Sequence, residues 1–254
     1  MIRPLRLAFE KIIRPTPAAA VEEASARVSL GMPDLDARLH GGLQPNALHE
    51  FYAAGPDDAA AAAGFALMLA ICAAGGHRSV VWIREDRGAR QAGRLYAAGL
   101  SELGFDPDTL ILVQTADTRA LLRAAADTVK CAQVGAVVIE PWGKAPLLDL
   151  TASRRLSMAA AASGVFTLML RGDAVPVPSA AQTRWQVAAA PSTALAAHAP
   201  GHPAFDITLL RYRGGVAGFE ARLEWNRDQG SFAPLSGGVP AAVAVGTDQE
   251  KKAA

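Results

Sequence analysis

The run Gly55-Pro56-Asp57-Asp58-Ala59-Ala60-Ala61-Ala62 lies between a short apolar strand and an alanine-rich helix, where a phosphate-binding loop would do its chemistry. Such a loop needs G-x-x-x-x-G-K-[ST]: glycines let backbone N–H groups wrap the phosphates, the lysine neutralises them, and the hydroxyl ligates Mg²⁺. Here alanine fills the second glycine position, and Ala61 and Ala62 stand where the lysine and hydroxyl belong. No lysine occurs between Lys11 and Lys130, and the Gly143-Lys144 pair is followed by Ala145 in the wrong part of the chain. Asp57 and Asp58 put two carboxylates at the helix N-terminus, in the position an anion would otherwise take. The expectation is a relic loop, with no nucleotide, cofactor or metal and no catalytic residue.

Other constellations are weaker. Arg84, Arg87, Arg90 and Arg94 fall three or four apart, so on a helix they would share one face. That face reads either as a patch for DNA phosphates or an acidic partner, or as a solvated surface partly neutralised by Glu85 and Asp86, which is the simpler reading. Arg154-Arg155 carries the same two readings. Trp185, Phe205, Tyr212, Phe219 and Trp225 interleave with Arg184, Arg211, Arg213, Arg222 and Arg227, the composition of interface hot spots and of single-strand binding platforms. Half of these must still face the core, because strand residues alternate. His198 and His202 have a metal-like spacing, but Pro200 and Gly201 between them argue against a helix, and no Cys or acid lies close before Asp206. No G-x-S-x-G elbow suggests a nucleophilic triad.

The elements that must position these residues follow from pattern. Over 254 residues, 51% hydrophobic composition supports a sizeable core, and a net charge of +1 argues against a polyanion-coating protein. Cys72 and Cys131 sit in helix-like apolar surroundings and read as small buried hydrophobes rather than a disulfide. The basic N-terminus lacks a signal-peptide core, and the run Ala59–Ala74 stops at Gly75-Gly76, short of a membrane span. The expected setting is therefore a reducing cytoplasm. Residues 1–27 read as an N-terminal arm and linker, with a short helix over 2–14 as a candidate docking element. Residues 28–236 read as the compact domain and 237–254 as a disordered tail.

Within the domain, a short helix from Pro33 ends at Gly41-Gly42. Strands are expected at 47–52, 79–83, 110–113, 136–139 and 166–170, and helices at 59–74, 89–98, 118–133 and 150–162. This alternation means βαβ units and a mainly parallel sheet, with ligands expected at the carboxyl ends of its strands. After Arg171 the pattern changes to a strand at 183–189 and a hairpin of 205–213 and 216–225 across Gly214-Gly215.

The order Leu35-Asp36, Gly41-Gly42-Leu43, Ala47–Tyr52 and then Gly55-Pro56 resembles the opening of the RecA ATPase core. Glu85 after the second strand and Glu140 after Ala136–Ile139 resemble the water-activating and Walker B acids. Leu150–Leu156, Gly164–Leu170 and the Trp- and Gly-containing hairpin look like the ImuA family in particular, with resemblance over roughly residues 28–228. This implies a RecA-like α/β fold: a mainly parallel sheet flanked by helices, with a C-terminal β-hairpin and flexible termini. It also implies a non-catalytic accessory role in SOS-induced translesion DNA synthesis. The implied partners are an ImuB-like inactive Y-family polymerase homologue, an error-prone C-family polymerase and RecA, with DNA contact and self-association left open. Glu85 and Glu140, without a phosphate cradle, read as capping or salt-bridged. The alternatives are a degenerate RecA-type ATPase or recombinase, and a division inhibitor related to SulA.

Overall fold

The computed structural model describes residues 27–195, 199 and 201–235. The expected N-terminal helix over 2–14, His198 and the tail after Gly237 lie outside the described residues.

A short helix, α1 (Pro33–Arg38), precedes β1 (Leu48–Ala53); a 3₁₀ turn over Pro56–Asp58 then runs into α2 (Ala59–Ala74). β2 (Val80–Glu85) is followed by two short helices, α3 (Asp86–Gln91) and α4 (Ala97–Glu102). β3 (Leu110–Thr115), α5 (Thr118–Thr128), β4 (Ala136–Glu140), α6 (Leu150–Ser163) and β5 (Phe166–Arg171) complete the alternating half. β6 (Thr183–Ala190), β7 (Ala204–Tyr212), β8 (Glu220–Asn226) and β9 (Ser231–Pro234) follow. All nine strands form one sheet in the order β3-β2-β4-β5-β1-β6-β7-β8-β9, parallel from β3 to β6 and antiparallel thereafter.

The central strands are buried on both faces, which is why β2, β4 and β5 read as largely apolar runs, while β1 also buries the polar His49 and Glu50. One face carries α2 and a core of Phe51, Phe65, Trp82, Trp185, Phe205, Trp225 and Phe232. The other carries α5 and α6, which bury Leu121, Ala125, Leu156 and Ala160 against Ile83, Val137 and Met169. Asp117 and Asp149 cap these two helices, each accepting a backbone N–H at 2.7 Å.

Pro56–Ala74 spans 19 residues and contains an 18-residue window of mean hydropathy 1.6, long and apolar enough to cross a membrane by length and composition, which corrects the expectation that no stretch reaches that length. Its hydrophobicity has a local cause: the helix packs on β1, β4, β5 and β6, with Phe65 through Ala70 buried. Each large apolar side chain buried there contributes roughly 1.5–3 kcal/mol.

Three element expectations are corrected. The helix expected over 89–98 is two helices, because Gly93 takes a left-handed φ of 83° between them. The hairpin turn is wider than Gly214-Gly215, because Arg211 and Tyr212 pair back onto the start of β6 instead of forward onto β8. A further edge strand, β9, pairs with β8.

Candidate functional site

The carboxyl ends of the parallel strands gather the residues at issue. After β1 the chain turns at once: Asp58 N donates to Gly55 O at 3.1 Å, closing the 3₁₀ turn, and Pro56 offers no N–H. The Asp58 carboxylate accepts the Ala189 N–H of β6 at 2.9 Å, and Ala54 N donates to Val187 O at 2.8 Å, so both ends of the turn are tied to β6. Asp57 is exposed, Ala61 is partly buried and Ala62 is fully buried in the sheet-facing side of α2.

The two acids of the neighbouring strands are separately engaged. Glu140, 3% exposed, stands opposite Arg84 in the β2–β4 register. Arg84 Nη2 donates to Glu140 Oε1 at 3.1 Å, and Arg84 Nε lies 3.1 Å from Oε2 without aligning as a donor. Trp82 Nε1 donates to Oε2 at 2.7 Å, and Arg84 Nη1 donates to Gly93 O at 3.0 Å. Burial pushes the Glu140 carboxyl above the usual carboxylate range, against the pull of Arg84 and of the Trp82 hydrogen bond. Glu85 accepts the Thr118 hydroxyl at 2.7 Å and faces a cleft of about 500 Å³, walled also by Trp142, Gly143, Lys144 and Asp173.

Several candidates lie elsewhere than expected. Arg84 is a strand residue 4% exposed, so it belongs to no arginine face. Arg87 and Arg90 are exposed on α3, while Arg94 is exposed in the connection beyond it. Arg154 and Arg155 are exposed on α6. Trp185 and Trp225, expected at an interaction surface, are core residues at 1% and 0% exposure. Trp225 Nε1 donates to Leu103 O and Trp185 Nε1 to Thr183 Oγ1, so even their polar edges are satisfied internally. The alternation in β6 and β8 turns both indoles toward α2, a consequence of register that composition does not contain. Arg211 and Arg213 donate to Ser179 O and Ala180 O at 2.9 and 3.4 Å, pinning the segment that leads into β6.

A buried polar group at the end of β1 has no counterpart among the expected sites. Arg184 Nε donates to Glu50 Oε2 at 2.9 Å, and the guanidinium groups of Arg171 and Arg184 lie 5.8 and 5.7 Å from the Tyr52 ring centre. Burial, then the Glu50 charge, pushes the Tyr52 phenol up, while Arg171 and Arg184 oppose them. Arg171 Nη2 donates to Gly143 O and Lys144 O, fixing the loop after β4. The signal for this group in the sequence is Glu50 itself, a charge inside the apolar strand run.

No protein-family model matches the chain. The solved RadB recombinase superposes with a TM-score of 0.55 at 15% identity, covering 82% of this chain and 99% of that one, and this likeness shows a RecA-like fold. Protein ImuA of Caulobacter vibrioides, in strains NA1000 and CB 15 alike, is 34% identical over 206 residues, which cover 75% of this chain and 80% of the relative. With a third of its residues shared over most of both lengths, on the fold that the RadB superposition shows, the chain belongs to the ImuA family.

Proposed function

We propose that the chain is a non-catalytic accessory protein of damage-induced translesion DNA synthesis, working in the cytoplasm through protein partners. The observation that carries this reading is the turn after β1. Its Asp58 carboxylate, held by the Ala189 N–H of β6, stands at the N-terminus of α2, where a nucleotide phosphate would meet its negative charge and find alanine in place of the lysine. The engagement of Glu140 by Arg84 and Trp82 supports it, because that carboxylate is committed to a structural pair. The partners are an ImuB-like Y-family homologue, an error-prone C-family polymerase and RecA, and the exposed Arg87, Arg90, Arg94, Arg154 and Arg155 are the side chains available for DNA contact.

Titration with a fluorescent ATP analogue and Mg²⁺, at up to about 100 μM protein, tests the reading, since a dissociation constant there corresponds to roughly 5 kcal/mol. The expected result is no saturable binding, together with co-purification of the tagged full chain and the ImuB-like protein from damaged cells. Saturable binding with turnover would move the chain to the ATPase class.

A further inference from the structure

The cleft at the carboxyl ends of β2, β4 and β5 combines features that the role above does not use. Glu85 forms one wall and is 6% exposed. Its Oε1 accepts from Thr118, while among the described residues Oε2 receives no hydrogen bond and no cation within ion-pair distance. Trp142 forms another wall and is the half-buried member of four tryptophans, the other three being fully buried. Its indole is held in place by two glycines: a Cβ at Gly172 would stand 2.8 Å from Trp142 Cζ3, and one at Gly88 would stand 3.4 Å from Cε3. Asp173 sits at the rim with a left-handed φ of 49°, and Ala145, also in the lining, has a φ of 42°. Arg87 and Lys144 are exposed at the mouth, and neither pairs with Glu85 or Asp173.

The lining therefore holds two acids and two bases, and their surroundings decide which sign dominates. Arg87 and Lys144 stand in water and are screened by it and by salt. Glu85 is buried as a residue, and its Oε2, open to the cleft, lacks a counter-charge, so a cation entering there meets a carboxylate less screened than Arg87 and Lys144 are. An aromatic wall beside that carboxylate suits a planar cation, which can stack on the ring while hydrogen-bonding in its own plane. From this we infer that the cleft receives an arginine side chain presented by a partner protein. The guanidinium meets Glu85 Oε2, with Asp173 as a second acceptor at the rim and Trp142 alongside. Arg87 and Lys144 are left to meet backbone carbonyls or an acid next to that arginine. The inference goes beyond the accessory role in naming the chemistry of one contact. Its test contains no nucleotide, DNA or polymerase, so its failure is distinguishable from failure of the role.

The test is a titration of the full chain with N-acetyl-arginine methylamide, following the Trp142 indole N–H signal by NMR, the signal being assigned with Trp142→Phe. A saturable shift of that signal alone is expected in the millimolar range, weakened at least about tenfold by Glu85→Gln, as loss of a less screened charge partner should do. Glutamine still accepts the Thr118 hydroxyl, and unchanged signals from Trp82, Trp185 and Trp225 report that the variant is folded. The blocked lysine analogue should bind more weakly, and Lys144→Ala should leave arginine affinity unchanged or raised. The inference is overturned by no shift at concentrations up to about 50 mM. It is equally overturned by binding that survives Glu85→Gln, or by N-acetyl-aspartate methylamide producing the same saturation.

Discussion

Arg84 and Glu140 face each other on adjacent parallel strands and form an ion pair in which each side chain is 4% exposed. The acid at the end of β4 is thereby joined to a strand residue and to the Trp82 indole, away from solvent. Removing one partner leaves the other charge buried alone, which costs more than the intact pair contributes.

Arg84→Met should therefore destabilise the fold by about 3–5 kcal/mol near neutral pH. The loss should shrink as pH falls, because the abandoned Glu140 takes up a proton. Urea denaturation at two pH values checks this; a pH-independent loss would place the effect in packing alone.

His49 supplies an independent pH dependence. It is fully buried: Nε2–H donates to Gln44 O at 2.8 Å, and the Thr183 hydroxyl lies 2.7 Å from Nδ1. Burial lowers its pKa from 6.5 to about 4. The unfolded chain thus binds a proton at a higher pH than the folded one, so stability is full above pH 6.5 and falls as pH drops toward 4. The limiting loss is about 3 kcal/mol, from 1.36 kcal/mol per pH unit. His49→Gln should flatten the stability profile between those pH values, measured by thermal unfolding.

The double substitution Ala61→Lys and Ala62→Thr should not create a nucleotide site. The turn before it stays closed by Asp58 N on Gly55 O and by Asp58 on Ala189, and Ala62 lies against the core. The same ATP-analogue titration should still show no saturation at about 100 μM. Gain of binding would show that side chains alone, and not the turn, exclude the nucleotide.

Trp225→Ala should lower stability by about 3–5 kcal/mol, the range for emptying a large buried site. Arg154→Ala with Arg155→Ala should change it by no more than about 0.5 kcal/mol. Denaturant midpoints separate a core tryptophan from surface arginines. If the arginines contact DNA phosphates, affinity at low salt falls in the arginine variant and the salt slope becomes shallower.

The apolar strand runs, the helix caps and glycine stops, and the change of grammar after Arg171 make the parallel half legible in the sequence, with most element boundaries placed to within a few residues. Each is a local property, set by neighbours within a few residues of the chain. The loop chemistry is legible for the same reason, since a missing lysine is visible in the residue order. Side-chain direction in the C-terminal strands is not, because the irregularity between Arg184 and Trp185 and the register of β6, β7 and β8 decide which residues turn inward.

By itself, then, the amino-acid order determined an alternating α/β chain with an alanine-filled turn after its first strand. Only the tertiary structure decided that Arg84 and Glu140 are one buried pair, that Trp185 and Trp225 are core, and that Glu85 meets Trp142 and Asp173 around one cleft. These groups lie up to 88 residues apart in sequence and are joined by sheet order, which strand pattern leaves open because a parallel strand has the same composition whichever neighbours it takes.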